Sequence, residues 1–234
     1  MIVERTEHPS WLSNAYLVAD RPGGHGVLVD GNGIVAPLRE RAERDEVALT
    51  HILLTHGHGD HVEGVDAIAA ELGIPILRHP ALAEGDVVRS GELEIRVLET
   101  PGHSPDHLAF AVDGECLTGD LIFRRTVGGT RGGGPTGFGD LRRSIDRILA
   151  LPAATVLRPG HREATTVDEE REENPFVRVW RGADPEGDEP CTVGGRSARL
   201  LLWAPDYDGG HKAWVRFADG SEAVVGGSQV ERRA

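Results

Sequence analysis

The chain is short of sulfur, of lysine and of long apolar runs, and each shortage excludes something. It has two cysteines, Cys116 and Cys191, far apart in differently patterned regions. They offer neither a disulfide framework nor a sulfur-rich zinc cage, and both are read as ordinary thiols. No apolar run approaches the ~18 residues that would span a bilayer, so no membrane partner is expected. The segment Met1 to Pro9 carries Glu4, Arg5, Glu7 and His8 and lacks a basic stretch followed by an apolar one. No secretory signal is therefore expected, and a cytoplasmic location is the default. Lys212 is the single lysine among 25 basic residues, an arginine bias to which no function attaches. The formal charge of −13 would repel a polyanion, so nucleic acid is not an expected partner either.

With 39% hydrophobic and 27% charged residues, the composition excludes collagen-like, low-complexity and wholly disordered chains. At about 150 residues per domain, 234 residues make one full domain with a small appendage. Histidine is oversupplied. There are eleven, and His56, His58 and His61 fall within six residues.

Strands are expected at Ala15 to Ala19, Val27 to Asp30 and the doubly apolar run Leu49 to Leu54. Pro37 to Arg44 suits a helix with proline in its first turn. Val65, Ile68, Ala69 and Leu72, spaced i, i+3, i+4 and i+7, give a second helix with Gly73 as its stop. Further strands are expected at Ile74 to Leu77, Leu93 to Leu98, Leu108 to Val112 and Glu115 to Leu121, with Asp113-Gly114 as a hairpin turn. Leu141, Ile145, Ile148 and Leu149 mark a helix capped by Asp140 and closed before Pro152. Thr155 to Leu157 returns as a strand. Thr166 and Glu169 form a capping box for a last helix, which Asn174-Pro175 ends. This order predicts two mixed sheets flanked by helices. From about Val177 no helical period remains, and runs at Arg199 to Trp203, Ala213 to Phe217 and Glu222 to Val225 predict a small antiparallel barrel cored by Trp180, Trp203 and Trp214. The expected domains are 1–176 and 177–234.

The run Thr55-His56-Gly57-His58-Gly59-Asp60-His61 leaves the C-terminal end of a buried strand, where sites of layered α/β proteins open. Imidazoles and a carboxylate suit zinc or iron, and the interleaved glycines let the backbone aim several side chains into one cavity. His103 and His161 each follow a Pro-Gly pair at a strand end, and Asp120 follows Leu117-Thr118-Gly119 in the same way. Incidental surface histidines would explain any one of these elements. They do not explain the whole set.

The pattern His56-x-His58-x-Asp60-His61 with His103, Asp120 and His161 resembles the metallo-β-lactamase superfamily over about residues 1–176. The resemblance implies a four-layer αββα sandwich, α/β in class, followed here by a small all-β domain. It also implies two divalent metal ions, zinc first with iron or manganese as alternates. His56, His58 and His103 would hold one ion, Asp60, His61 and His161 the other, and Asp120 would bridge them. Asp30 matches the superfamily's early Asp-Gly turn and is given a structural role. β-Lactamases proper usually carry cysteine where Asp120 stands, which points away from lactams. The Asp60-His61 form, with Glu173-Asn174-Pro175-Phe176 after the last ligand, is similar to the glyoxalase II branch, hydrolases of small-molecule thioesters. That branch attacks with a metal-bound hydroxide, with Asp60 and Asp120 as the catalytic carboxylates here.

Two departures bear on the substrate. The segment Leu121 to Gly129 directly after Asp120 contains no lysine or tyrosine of the kind that holds glutathione in glyoxalase II, and the tail is strand-like where that of glyoxalase II is helical. The loop Arg124 to Gly139, with Arg124, Arg125 and Arg131 among seven glycines, is a candidate flap for an anionic small-molecule substrate. Asp106 and His107 are candidates to support a metal ligand from behind. Three other functions remain in view: a mononuclear-iron persulfide dioxygenase, a metal-dependent ribonuclease or phosphodiesterase, and a metal-stabilised binding scaffold. A homodimer is left open.

Overall fold

The computed structural model describes residues 1–130 and 136–232. Residue contacts gather the chain into two compact units that interleave along the sequence. One comprises Met1–Glu99, Asp106–Gly119 and Leu157–Arg162; the other comprises Thr100–Pro105, Asp120–Val156 and the chain from Glu163 onward.

In the first unit, Ile2–Glu7, Asn14–Ala19 and His25–Val29 form an antiparallel meander, which Ala48–Leu53 and Ile76–Leu77 join in parallel. Parallel neighbours need a crossover, and the helices Ala36–Arg44 and Val65–Leu72 supply it. Pro37 lies in the first turn of the former. The latter buries Val65, Ile68 and Ala69 and stops at Gly73 with φ +65°, as its spacing predicts. Alternation along the strands sends Leu17, Leu28 and Ile52 to the helices. Val18, Val27 and Val29 go to the opposite face, where they meet Leu93, Ile95, Val97 and Phe110 of a second sheet. That sheet runs antiparallel through Val87–Ser90, Leu93–Glu99, Leu108–Val112 and Glu115–Gly119. Phe110 is fully buried between the sheets, and truncation to alanine there should cost about 3–5 kcal/mol. Asp113 and Gly114 both take positive φ, the geometry that a two-residue hairpin requires.

In the second unit, a short hairpin pairs Ile122–Phe123 with Thr126–Val127, and the helix Phe138–Ile148 follows. That helix starts before its expected cap: Gly137 is the N-cap residue, and Asp140 lies inside the first turn, where its charge still favours the helix dipole. The capping box holds, with Thr166 Oγ1 accepting from Glu169 N at 3.1 Å. Asn174-Pro175, read as a stop, also starts a further helix, Pro175–Trp180, in the stretch where no helical period was seen. The Asn174 side chain accepts from Phe176 N and Val177 N, and proline sits at the helix start, where its missing N–H costs nothing.

The C-terminal strands Glu189–Val193, Arg196–Pro205, His211–Phe217, Glu222–Gly226 and Val230–Arg232 form one antiparallel sheet, whose spatial order is fourth, third, second, first, fifth. Leu200, Val215 and Val225 line its apolar face with Cys191 and Val193. Trp203 packs against that cluster, whereas Trp214 and Trp180 meet each other and Phe138. Burial pushes the Cys116 thiol up to about 12 and raises that of Cys191, in keeping with unreactive thiols. Among the described residues no helix is long and apolar enough to cross a membrane.

Candidate metal centre

The histidine-rich loop begins where the strand Ala48–Leu53 ends, and its foundation is a buried carboxylate. Asp30, at φ +59°, closes the neighbouring strand in a left-handed conformation that aspartate tolerates. One of its oxygens accepts from Thr55 N and the other from Thr55 Oγ1, each at 2.7 Å. The second oxygen also lies 3.0 Å from His61 Nδ1.

These bonds fix two tautomers. A carboxylate only accepts, so His61 Nδ1 carries the proton and Nε2 presents its lone pair. The Thr55 hydroxyl spends its one hydrogen on Asp30 and therefore accepts from His56 Nδ1 at 3.0 Å, which turns His56 Nε2 outward as well. His56 Nε2 and His58 Nδ1 then lie 3.0 Å apart, a separation that suits two nitrogens on one ion. Asp60 Oδ2 lies 3.5 Å from His161 Nε2 and 3.7 Å from His61 Nε2.

Asp120 follows Gly119, whose φ is +47°. A Cβ at Gly119 would come within 2.8 Å of His107 Nε2 and of Thr55 Cβ, so the turn that launches Asp120 admits only glycine. His103 Nδ1 lies 2.9 Å from the Gly129 carbonyl. A carbonyl cannot donate, so this imidazole too is protonated at Nδ1. Its Nε2 faces Asp120 Oδ2 at 3.5 Å.

Two donor sets result. Asp60, His61 and His161, all in the first unit, each offer one ligand atom, and these lie within 4.8 Å of one another; His56 and His58 of the first unit, and His103 and Asp120 of the second, supply the donors of the other set. Imidazole nitrogens and carboxylate oxygens in these numbers fit zinc, iron or manganese. His56, His61, Asp120 and His161 are buried, whereas the Asp60 side chain is 28% exposed.

Sequence reasoning passed over the residues that seat His161. Asn14 N donates to Gly160 O, and the Asn14 amide donates to Pro159 O and Arg162 O. Tyr16 donates to Pro159 O at 2.7 Å, and burial raises its phenol pKa so that the donor persists. Two polar side chains at alternate positions of an otherwise apolar strand were the available signal. His107 is buried with its ring 5.1 Å from that of His56. Asp106 Oδ2 lies close to Gly57, where a Cβ would come within 3.1 Å of it.

Of the three arginines in the expected flap, Arg124 pairs with Glu169 at 2.9 Å and Arg125 pairs with Glu173. Arg131 lies outside the described residues. The Arg125 backbone N–H also bonds the buried Glu170 carboxylate, whose pKa burial raises.

Sets of imidazole and carboxylate donors at strand ends define a metal-dependent enzyme. The metallo-β-lactamase superfamily profile matches residues 9–85. A hydroxyacylglutathione hydrolase of Cereibacter sphaeroides is 39% identical over 247 positions, covering 94% of this chain and 92% of that protein. Among solved structures, ETHE1 from Myxococcus xanthus superposes with a TM-score of 0.70 at 26% identity, covering 79% of this chain and 92% of that one. TTHA1623, solved in a di-iron-bound form, gives 0.64 at 32% identity, with coverage of 74% and 100%. The chain belongs to the metallo-β-lactamase superfamily and has that superfamily's fold, with hydroxyacylglutathione hydrolases among its homologues.

Proposed function

We propose that this enzyme hydrolyses the thioester of a small thiol with two divalent ions, zinc first, held by the two donor sets. The observation that carries this reading is the 39% identity to a hydroxyacylglutathione hydrolase over 94% of the chain. Bound divalent ions would supply Lewis acidity and lower the pKa of coordinated water toward ~7. His56, His58 and His103 would hold one ion and Asp60, His61 and His161 the other, with Asp120 serving both.

The remaining work falls to the chain's own side chains. Asp30, Thr55 and Gly129 keep His61, His56 and His103 in the tautomers that put the lone pair on Nε2. Asp60 is the accessible carboxylate of its set and would take the proton that the attacking water gives up. Arg124, Arg125 and Arg131 would meet an anionic part of the substrate, the first two by exchanging Glu169 and Glu173 for it. The absence of a lysine or tyrosine directly after Asp120 argues against glutathione as the thiol, and the thioester panel decides it.

Metal content per chain, after expression without added metal and purification without chelator, comes first, followed by a thioester panel that includes acylglutathione. Two equivalents falling toward one in His161→Ala, with turnover of a thioester, is the expected result. The likeness to ETHE1 favours a second reading, persulfide oxidation at a single iron. One iron indifferent to His161, with oxygen uptake on a persulfide, would replace the first reading by the second.

A further inference from the structure

The C-terminal sheet reaches back to a metal ligand. The strand Glu222–Gly226 lies at the edge of that sheet, with His211–Phe217 on one side. On its other side Thr130 meets Val224: Thr130 N donates to Val224 O at 2.9 Å, and Val224 N donates to Thr130 Oγ1 at 2.9 Å. The hydroxyl thus stands in for the main-chain carbonyl of a paired strand. Val224 is fully buried, so its N–H has no recourse to solvent.

One residue upstream of Thr130, the Gly129 carbonyl accepts a hydrogen bond from His103 Nδ1 at 2.9 Å. Gly128 fits against Asp120 so closely that a Cβ there would fall 1.9 Å from Asp120 O and 3.4 Å from His103 Cβ. The same segment is pinned again further back. Lys212 Nζ donates to Val127 O at 2.9 Å, and Thr126 Oγ1 donates to Asp206 at 3.2 Å, both partners belonging to the C-terminal strands or the turn between them. Between these contacts Gly128 N donates to Leu121 O at 3.0 Å, so the turn is held both by its own hairpin and by the sheet.

We propose that Thr130 is a positioning residue for the metal centre: by docking on Val224 it holds the Gly129 carbonyl where it fixes the His103 ring and its Nδ1–H tautomer. The C-terminal sheet then serves as a frame for one ligand. This rests on His103 being a metal ligand, so the test separates the two claims.

The test compares Thr130→Val and Thr130→Ala, which remove the acceptor, with Thr130→Ser, which keeps it, and with His103→Ala. Cobalt(II) is the probe, with stoichiometry, chelator competition and the visible ligand-field spectrum as readouts. The His103 tautomer in the metal-free protein is read by nitrogen NMR of labelled histidine. His103→Ala is expected to lose one equivalent. Thr130→Val and Thr130→Ala are expected to keep the stoichiometry, bind one equivalent about 10–100-fold more weakly, the usual effect of losing an orienting partner, and lose the single tautomer. Thr130→Ser should restore wild-type affinity. Unchanged affinity and tautomer in both hydroxyl-free variants, with His103→Ala still losing an equivalent, would overturn the proposal alone. Full stoichiometry in His103→Ala would overturn the ligand assignment and the proposal with it.

Discussion

His61 and His103 are each held at Nδ1 by an oxygen acceptor, but the acceptors are built differently. For His61 the acceptor is the Asp30 carboxylate, buried at the end of a strand and gripped by two donors from Thr55. For His103 it is a main-chain carbonyl in a turn that hangs on the edge of another sheet. A buried carboxylate is costly to leave unpaired, so the first support is bound up with folding itself. A carbonyl in a docked turn can shift by fractions of an ångström at little cost, so the second bears mainly on the ligand. One imidazole is thus held by a buried carboxylate, the other by a main-chain carbonyl.

The contrast is open to attack, most forcefully at Asp30. Asp30→Ala strips three buried hydrogen bonds and puts alanine into a left-handed conformation, so stability should fall by about 3–5 kcal/mol in urea melts even without metal. A loss below about 1 kcal/mol would mean that the strand end does not depend on this carboxylate.

Lys212 tests the other side. Its side chain is 8% exposed and pairs with Asp206 at 3.2 Å. Lys212→Met should cost about 1–3 kcal/mol, because Asp206 keeps the Thr126 and Tyr207 donors, and it should spare binding of the metal that Asp60, His61 and His161 are proposed to hold. Loss of that metal as well would erase the distinction between the two supports.

The smallest effect concerns acid. Asp20 accepts backbone N–H groups from Glu92, His25 and Arg21, which hold its carboxyl below the usual range. A carboxylate with a lowered folded pKa adds stability above the ordinary aspartate value, and that stability is lost as pH falls through the folded one. Asp20→Asn should therefore flatten the acid limb of the stability curve below about pH 4 and leave the metal centre untouched. An unchanged acid limb would show that these bonds do not set the titration.

Legibility in the sequence followed the chemistry of the support. Metal donors are rare residue types, and clustering made His56, His58, Asp60 and His61 conspicuous. Asp30 stood out only through its resemblance to the superfamily's early Asp-Gly turn. Gly129 could not, since a carbonyl is present at every residue and only tertiary structure decides which one matters. Asn174-Pro175 misled for a related reason: the same pair can end one helix and cap the next, and no helical period was evident in the six residues Pro175–Trp180. The helix Val65–Leu72 was plain because its buried face repeats within eight residues.

An edge strand offers N–H and C=O groups to any extended peptide that passes, and this is how sheets come to join from one molecule to another. In the strand Glu222–Gly226 both main-chain groups of Val224 are already taken by Thr130. The opposite edge, Val230–Arg232, is three residues long and carries Glu231 and Arg232. Val224 thus offers neither group to a passing peptide, and a fragment cut away from Thr130 would expose both.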